Sequence, residues 1–339
     1  MPYNPSTGVF SLPAIYLAIP GTVIIAAQHN EPLQDLATAN NYARPVIAGG
    51  TGANNAASAA TNLNVLSKAG DTMAGGIDMD GNSLTDALLD GIPGGKFIAG
   101  YLYGLTLSNN GVDAANDIDI AIGAASSDGT VPYLMSRDAS LTKRLDALWA
   151  VGSNNGGLDA GTVTNATYHV WLIQRSDTGV VDALFSLSAT APTMPTNYDR
   201  KRRIGSIIRS GGTILAFTQN GNTFILNVAV MNRTSNAAQA STLLALTVPG
   251  GIVVQPIMVS TQQQNATGNV QTRFANAGGN LATLVTTVAN QEIGQAYIPS
   301  GIFTDTSGRI QYSVEFLGGT LLSNELLTKG WIDTRGQEG

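Results

Sequence analysis

The stretch Arg202–Val230, "RRIGSIIRSGGTILAFTQNGNTFILNVAV", holds three runs of β-branched and aromatic residues separated by Ser-Gly-Gly and by Asn-Gly. Glycine and asparagine tolerate the positive φ of tight hairpin turns, so they punctuate a chain between strands. The pattern reads as strand, turn, strand, turn, strand: a β-meander.

The segments around it carry the same period. Upstream, "TYHVWLIQR" (Thr167–Arg175) is a strand, "SDTG" a turn and "VVDALFS" the returning arm of a hairpin. Earlier still, "DIDIAIGAAS" (Asp117–Ser126) alternates Asp117 and Asp119 with Ile118, Ile120 and Ile122, the two-residue repeat of a strand with one wet face. Downstream, "RIQYSVEFLGG" sets Ile310, Tyr312, Val314 and Phe316 against Arg309, Gln311, Ser313 and Glu315. "NELLTKGWIDTRG" reads as a terminal strand in which Trp331 closes the core. The expectation is a mainly β protein with β-sandwich-like C-terminal modules. Its zones are 1–90, an N-terminal attachment and trimerisation region; 91–232, a β-rich middle domain; and 233–339, a C-terminal β-sandwich domain.

The first zone differs in kind. Val23, Ile24 and Ile25 read as a short strand, followed by a helix in "HNEPLQDLATANNYARP", with Asn30 as N-cap, Pro32 in the first turn and Pro45 as the stop. Leu33, Leu36, Ala37 and Asn40 share its face. A second helix is expected after Asn54 or Asn55, with Ala56, Ala59, Ala60, Leu63 and Leu66 at helical spacing. Short helices with methyl-sized faces bury too little area to stand alone, but they allow several copies to approach closely. The natural use is a parallel bundle about a symmetry axis.

Composition bounds the partners. Only 12% of the 339 residues are charged, so copies can pack without bringing like charges together. A net charge of -6 argues against nucleic acid, which is held by clustered Lys and Arg. The absence of cysteine excludes disulfides and thiolate metal sites, and two histidines make a poor zinc set. The uncharged run Ser11–Ala27 is broken by Pro13, Pro20 and Gly21 and is too short to span a membrane, and no secretory signal pattern is present. No membrane insertion is expected, and synthesis in a cytoplasm is.

"ARPVIAGGTGANNAASAATNLNV" (Ala43–Val65) followed by "LSKAGDTMAGGIDMDGNSL" (Leu66–Leu84) resembles the paired repeat units of bacteriophage tail fibres. "YNPSTGVF" and "PGTVIIAAQHNEPLQDLATA" are similar to the virion-anchoring start of such proteins, and "LTKRLDALW" and "YDRKRRIGSI" resemble phrases of phage virion modules. The resemblance implies an elongated homotrimeric fibre on the virion tail, made in the host cytoplasm. Its partners would be itself, other phage tail proteins and a host-surface glycan or receptor. Leu33, Leu36, Ala56, Ala59, Ala60, Leu63 and Leu66 are then the candidate trimer and virion interface. The alternatives are a tail adaptor, collar or baseplate component that docks another fibre, and a capsular polysaccharide depolymerase.

No catalytic, cofactor or metal residues are expected. Glycan cleavage needs two carboxylates flanking the bond, and Asp78 with Asp80, Asp86 with Asp90 and Asp117 with Asp119 all read as turns or strand edges. "DMDGNS" lacks the ligands of a calcium loop. His29 and His169 have no nucleophile in an elbow motif. "GGTGA" lacks the lysine of a phosphate loop and reads as a tight turn. A depolymerase would require a long parallel β-helix, and no such repeat period is present. The dense basic run Arg200, Lys201, Arg202 and Arg203 reads as anion or intersubunit contacts, or as a solvated loop paired with Asp199. For a receptor, the candidate contacts are aromatic and amide side chains in "STQQQNATGNVQTRF" (Ser260–Phe274), which reads otherwise as a long hairpin.

Overall fold

In the computed structural model of the chain, residues 20–23, 25–41, 51, 53, 55, 58–59, 99–130, 132–264, 270–287, 294–297, 301–316, 318 and 321–337 are described. The chain divides into two compact units, Met1–Ala87 and Leu88–Gly339.

In the first unit, α1 (Ala26–Asn41) begins ahead of the expected Asn30 cap and carries Pro32 inside it. The expected strand at Val23–Ile25 is absent from Val23 and Ile25, which belong to no strand. Ile25 O already accepts from His29 N at 3.2 Å, so this segment leads into the helix. Further on, Ser58 N donates to Asn55 Oδ1 at 2.8 Å and Ala59 N to Asn55 O at 3.0 Å, the geometry of an asparagine N-cap. Ala56, Ala60, Leu63 and Leu66 lie outside the described residues, as do Asp78, Asp80, Asp86 and Asp90.

The second unit is mainly β. In chain order its strands are β1 (Leu102–Gly104), β2 (Leu107–Asn109), β3 (Asp117–Ile120), β4 (Gly123–Ser126), β5 (Leu134–Arg137), β6 (Leu141–Leu148) and β7 (Asn155–Leu158). Then come β8 (Thr167–Gln174), β9 (Val181–Ser186), β10 (Arg200–Ser210), β11 (Thr213–Ile214), β12 (Phe217–Asn220) and β13 (Thr223–Ser235). The last are β14 (Gln239–Ala245), β15 (Gln255–Gln264), β16 (Val270–Ala275), β17 (Ala282–Thr287), β18 (Gly294–Tyr297), β19 (Arg309–Phe316) and β20 (Leu321–Ile332). They form sheets of order β1-β4-β5, β11-β10-β8-β9-β7-β6-β3-β2, β12-β13-β20-β15-β18 and β14-β19-β16-β17.

The opening stretch decides this topology, but it is not one meander. It makes two hairpins in two sheets. β10 pairs with β11 through Gly211 and Gly212, and β12 pairs with β13 through Gly221. Leu215 N bonds back to Ile208 O (2.8 Å), whereas the next carbonyl, Ala216 O, accepts from Asn227 N (2.9 Å). The sheet switch therefore falls between two adjacent residues. Ile214 N also bonds Ala115 O (2.9 Å), between β2 and β3, so the two ends of the eight-stranded sheet meet and it nearly closes. Gly205 makes the close packing available: a Cβ there would lie 2.7 Å from a Leu107 methyl and 3.2 Å from the Phe224 ring.

Other readings shift for the same reason, that sheets exchange strands at corners. "DIDIAIGAAS" splits into β3 and β4 in different sheets, and Ile122, at the corner, is 58% exposed. Ser260–Phe274 is not a hairpin, because β15 and β16 belong to different sheets. The expected boundary between 232 and 233 falls inside β13, which pairs with β20 along Thr223–Ser235.

The larger apolar core of this unit runs from Leu105 to Trp331, and Trp331 stacks on Phe224 with ring centroids 5.4 Å apart. β8 and β9 are buried on both faces, which explains their continuous apolar sequence. Their second face carries a smaller core of Trp171, Ile173, Leu184 and Tyr198, with Trp149 and Met194 packed on it. The five- and four-stranded sheets are bridged by buried polar groups. Asn324 accepts from Tyr312 Oη and donates to Thr272 Oγ1 (3.0 Å), and Gln262 donates to the same Thr272 hydroxyl.

Candidate functional site

Of the candidate interface residues, Leu33 and Leu36 are 54% and 44% exposed, and Val23 beside the helix is 86% exposed. Ala59 is half-buried.

The basic run is strand β10 rather than a loop, and the charges of Arg200, Lys201 and Arg203 are answered within the chain. Arg200 lies over the Tyr133 ring at 3.6 Å and donates to Gln174 Oε1 (3.2 Å). Lys201 pairs with Asp128 and faces the Trp171 ring. Arg203 grips both oxygens of Asp333 at 2.5 and 2.8 Å. Asp199, the expected partner, instead accepts from Ser176 N (2.9 Å) and Ser176 Oγ (2.5 Å). Arg202 is buried.

The same strand brings together a pair that the sequence reading missed. Ser206 and His169 are directly opposed in β10 and β8, with Ser206 Oγ 2.9 Å from His169 Nδ1. Ser206 Oγ also accepts from Arg203 Nη1 (3.2 Å), so a polar chain runs His169–Ser206–Arg203–Asp333. A serine on a histidine is a nucleophile–base geometry. Here both are enclosed, at 0% and 1% exposure, and the carboxylate is bound to Arg203 rather than to the imidazole. Burial, with Arg203 adding to it, drives the His169 pKa down to about 4, so the ring is neutral. Gly251, at φ +85°, leaves room for it: a Cβ there would sit 3.0 Å from Nε2. The chain ties β8 and β10 to the last described turn.

A second buried charge sits in β6. "LTKRLDAL" alternates inward and outward, and Lys143 occupies an inward position between Leu141 and Leu145. Its ammonium donates to Ala150 O (2.7 Å) and Gly152 O (3.2 Å) and pairs with Asp182 at 3.3 Å. Asp182 in turn accepts from Gly152 N (2.8 Å) and Ala183 N (2.7 Å). Burial pulls the Lys143 pKa down and Asp182 resists that pull.

Above this pair lies an open cleft of about 630 Å³ lined by Trp149, Met194, Tyr198, Asp159 and Arg175, among others. Trp149 meets Tyr198 edge-on at 5.1 Å and is held by a bond from its Nε1 to Ala183 O (3.0 Å), with Lys143 under the ring at 5.4 Å. Asp159 accepts from Thr193 N (2.9 Å), and Arg175 forks onto Asp177. The cleft offers a rigid apolar and aromatic floor with a carboxylate and a guanidinium at its rim. Among its described lining residues Asp159 is the one carboxylate, where glycoside hydrolysis uses two. Of the amide and aromatic side chains expected at a receptor site, Gln262, Gln264 and Phe274 are buried, Gln263 and Gln271 are half-buried, and Asn265 and Asn269 lie outside the described residues. Among the described residues no group of acidic and histidine side chains is placed to hold a metal ion, and no helix is long and apolar enough to cross a membrane.

No protein-family model matches the chain, and no curated protein matches it. Among solved structures it is similar to a glycoside hydrolase family 43 arabinoxylan arabinofuranohydrolase from Bacillus subtilis, solved with cellotetraose, at 13% identity and a TM-score of 0.17. The match covers 67% of this chain and 52% of that one, so the chain spans about half of that enzyme's length. A likeness at that score carries no argument about fold or activity.

Proposed function

We propose that the chain is a structural component of a phage tail: a homotrimeric, elongated fibre attached to other tail proteins by Met1–Ala87. Its β-rich unit, with β-sandwich-like modules, projects toward a host-surface glycan. The virion context rests on the GGTGA and KAGDTM segments. The observation that carries the assembly is the contrast in burial. Among the described residues of the first unit none is buried, and Val23, Ile25, Leu33 and Leu36 are exposed, whereas the second unit, though it too exposes Val112 and Val228, encloses its own core from Leu105 to Trp331. Leu33 and Leu36 are already about half covered, so each contributes about 1 kcal/mol when another copy covers the rest, and a trimer covers three sets at once.

The fibre acts by binding, not by hydrolysis. An aromatic floor with few polar groups suits the apolar face of a sugar ring, and the lone lining carboxylate suits a hydrogen bond to its hydroxyls. Native mass spectrometry of the full chain tests the assembly: a mass of three chains is expected, and a folded monomer overturns it. Binding of host polysaccharide that survives Trp149→Ala would remove the cleft from the reading. Steady release of reducing ends would replace a fibre with a depolymerase.

A further inference from the structure

The polar cluster at the end of β20 has more positive charge than its acceptors can satisfy. Asp333 supplies two oxygens, and both are taken: Arg203 holds them as a fork, and the Arg335 backbone N–H shares one at 2.8 Å. Arg335 spends its Nε on Asn222 Oδ1 (3.0 Å). What remains is Arg202 Nε and Nη2 and Arg335 Nη1, all buried and all without a hydrogen-bond partner. The two side chains are 6% and 5% exposed. Arg202 Nη2 lies beside the backbone of Gly336, the residue after Arg335, where a Cβ would be 3.8 Å away, and Arg202 is among the charges that act on the Arg335 guanidinium. Burial lowers the pKa of both; Asp333 opposes this at Arg335 and Asp128 at Arg202, while Arg203 adds repulsion at both and Arg202 adds some at Arg335.

A guanidinium cannot resolve this by losing its proton, since its pKa stays above the range of neutral solutions. An enclosed, unpaired cation is among the costliest arrangements in a protein interior. Water would fill the hydrogen bonds but leave the charge. An oxyanion would do both, because guanidinium forks match its oxygens two at a time. Turn 334–337 covers the site, so the occupant has to be small.

We propose that Arg202 and Arg335 form a binding site for one small oxyanion of the phosphate or sulfate class. It locks the C-terminal turn onto β10.

The test uses the full chain, prepared in chloride, with unfolding followed by tryptophan fluorescence. Phosphate, sulfate, acetate and chloride are compared at equal ionic strength. A rise in melting temperature that grows with the logarithm of concentration is expected with phosphate or sulfate, about 4 °C for each tenfold excess over the dissociation constant. The rise should vanish in Arg335→Met and in Arg202→Met. A phosphate response no larger than that to chloride overturns the proposal, as does a response unchanged in both variants, and a response to acetate alone overturns the assigned class. Should neither variant fold, crystals grown in selenate decide: an anomalous peak within hydrogen-bond distance of Arg202 Nη2 and Arg335 Nη1 is expected, and its absence there overturns the site.

Discussion

Two regions of the β-rich unit bury charge in opposite ways. Around Lys143 every strong donor has an acceptor: the ammonium meets two carbonyls and Asp182, and Asp182 meets two backbone N–H groups. Around Asp333, Arg203 takes both carboxylate oxygens and Arg335 turns its Nε to Asn222, while Arg335 and Arg202 keep unpartnered N–H groups. The first region is complete in itself. The second is complete only with something added. The difference teaches that the cost of a buried charge is set by its acceptors, so similar substitutions should have opposite signs in the two places.

The largest effect is expected in the satisfied region. Lys143→Met leaves the Asp182 carboxylate enclosed without its cation, and should cost roughly 3–5 kcal/mol of unfolding free energy. Trp149, Trp171 and Trp331 all lie in the second unit, so tryptophan fluorescence in a urea titration reports on it directly. Adding Asp182→Asn keeps an acceptor for Gly152 N and removes the stranded charge, so the double variant should recover much of the loss. A single variant as stable as the parent would break the comparison at its firmer end.

Next comes acid. The unfolded chain takes up the His169 proton as pH falls through about 6.5, whereas the folded chain does so near 4. Between those values the unfolded state binds more protons, so stability declines as pH falls across that window and is steady above it. A displacement of that size is worth roughly 3 kcal/mol. Arg203 and Asp333 are the charged groups that face the ring, and Arg203 reinforces burial while Asp333 opposes it. His169→Gln should start lower at neutral pH and lose less between pH 6.5 and 4. Equal losses in the two proteins would mean that other carboxylates carry the acid sensitivity.

The third test lies inside the Asp333 cluster. Arg203→Met removes both bonds to the buried carboxylate and the donor to Ser206, and should cost about 2–3 kcal/mol. Arg335→Met in chloride removes a cation with an unpartnered N–H and should cost less than half as much, or stabilise. Equal losses from the two would erase the distinction between answered and unanswered guanidiniums.

Much of the fold was legible in the sequence wherever one sheet face met one solvent face. The inward Ile310, Tyr312 and Val314 of β19 follow from the two-residue period, and Trp331 does close the core, whereas the hairpin of β8 and β9, buried on both faces, was legible from the turn between its two apolar runs. Legibility failed at corners. Leu215 and Ala216 look like the middle of one strand, and nothing in their side chains records that their hydrogen bonds go to different sheets. The site failed for a related reason. Ser206 faces His169 because β10 returns to the far side of β8 after β9 and a long connection, so their pairing is not written in local spacing. The run at Arg200–Arg203 was visible as charge, but its partners Asp128 and Asp333 are remote in the chain. Trp149, between Leu148 and Ala150, and Tyr198, between Asn197 and Asp199, carried no signal as a pair, since they are remote in the chain.

The smallest effect is expected where water still reaches a mismatched charge. Asp117 on β3 is only partly buried, has an unpartnered Oδ1, and lies near Asp113, Asp146 and Asp119, with Arg144 as the opposing cation. Burial first, and then these neighbours, raise its carboxyl pKa above 3.8. The folded chain therefore holds that proton more tightly than the unfolded chain, and ionised Asp117 is a small constant cost above the raised value. Asp117→Asn removes the charge and keeps the shape, so it should stabilise the protein at pH 7 by up to about 1 kcal/mol, the scale of solvent-screened pairs. The advantage should shrink as pH falls toward 3.8, because the parent's carboxyl is then neutralised by its own proton. Its pH dependence thus runs opposite to that of His169, whose contribution is lost in acid. Paired urea titrations of the parent and Asp117→Asn at pH 7 and pH 4 measure it, and a variant less stable at pH 7 would show that Asp117 is held by a partner rather than crowded by like charges.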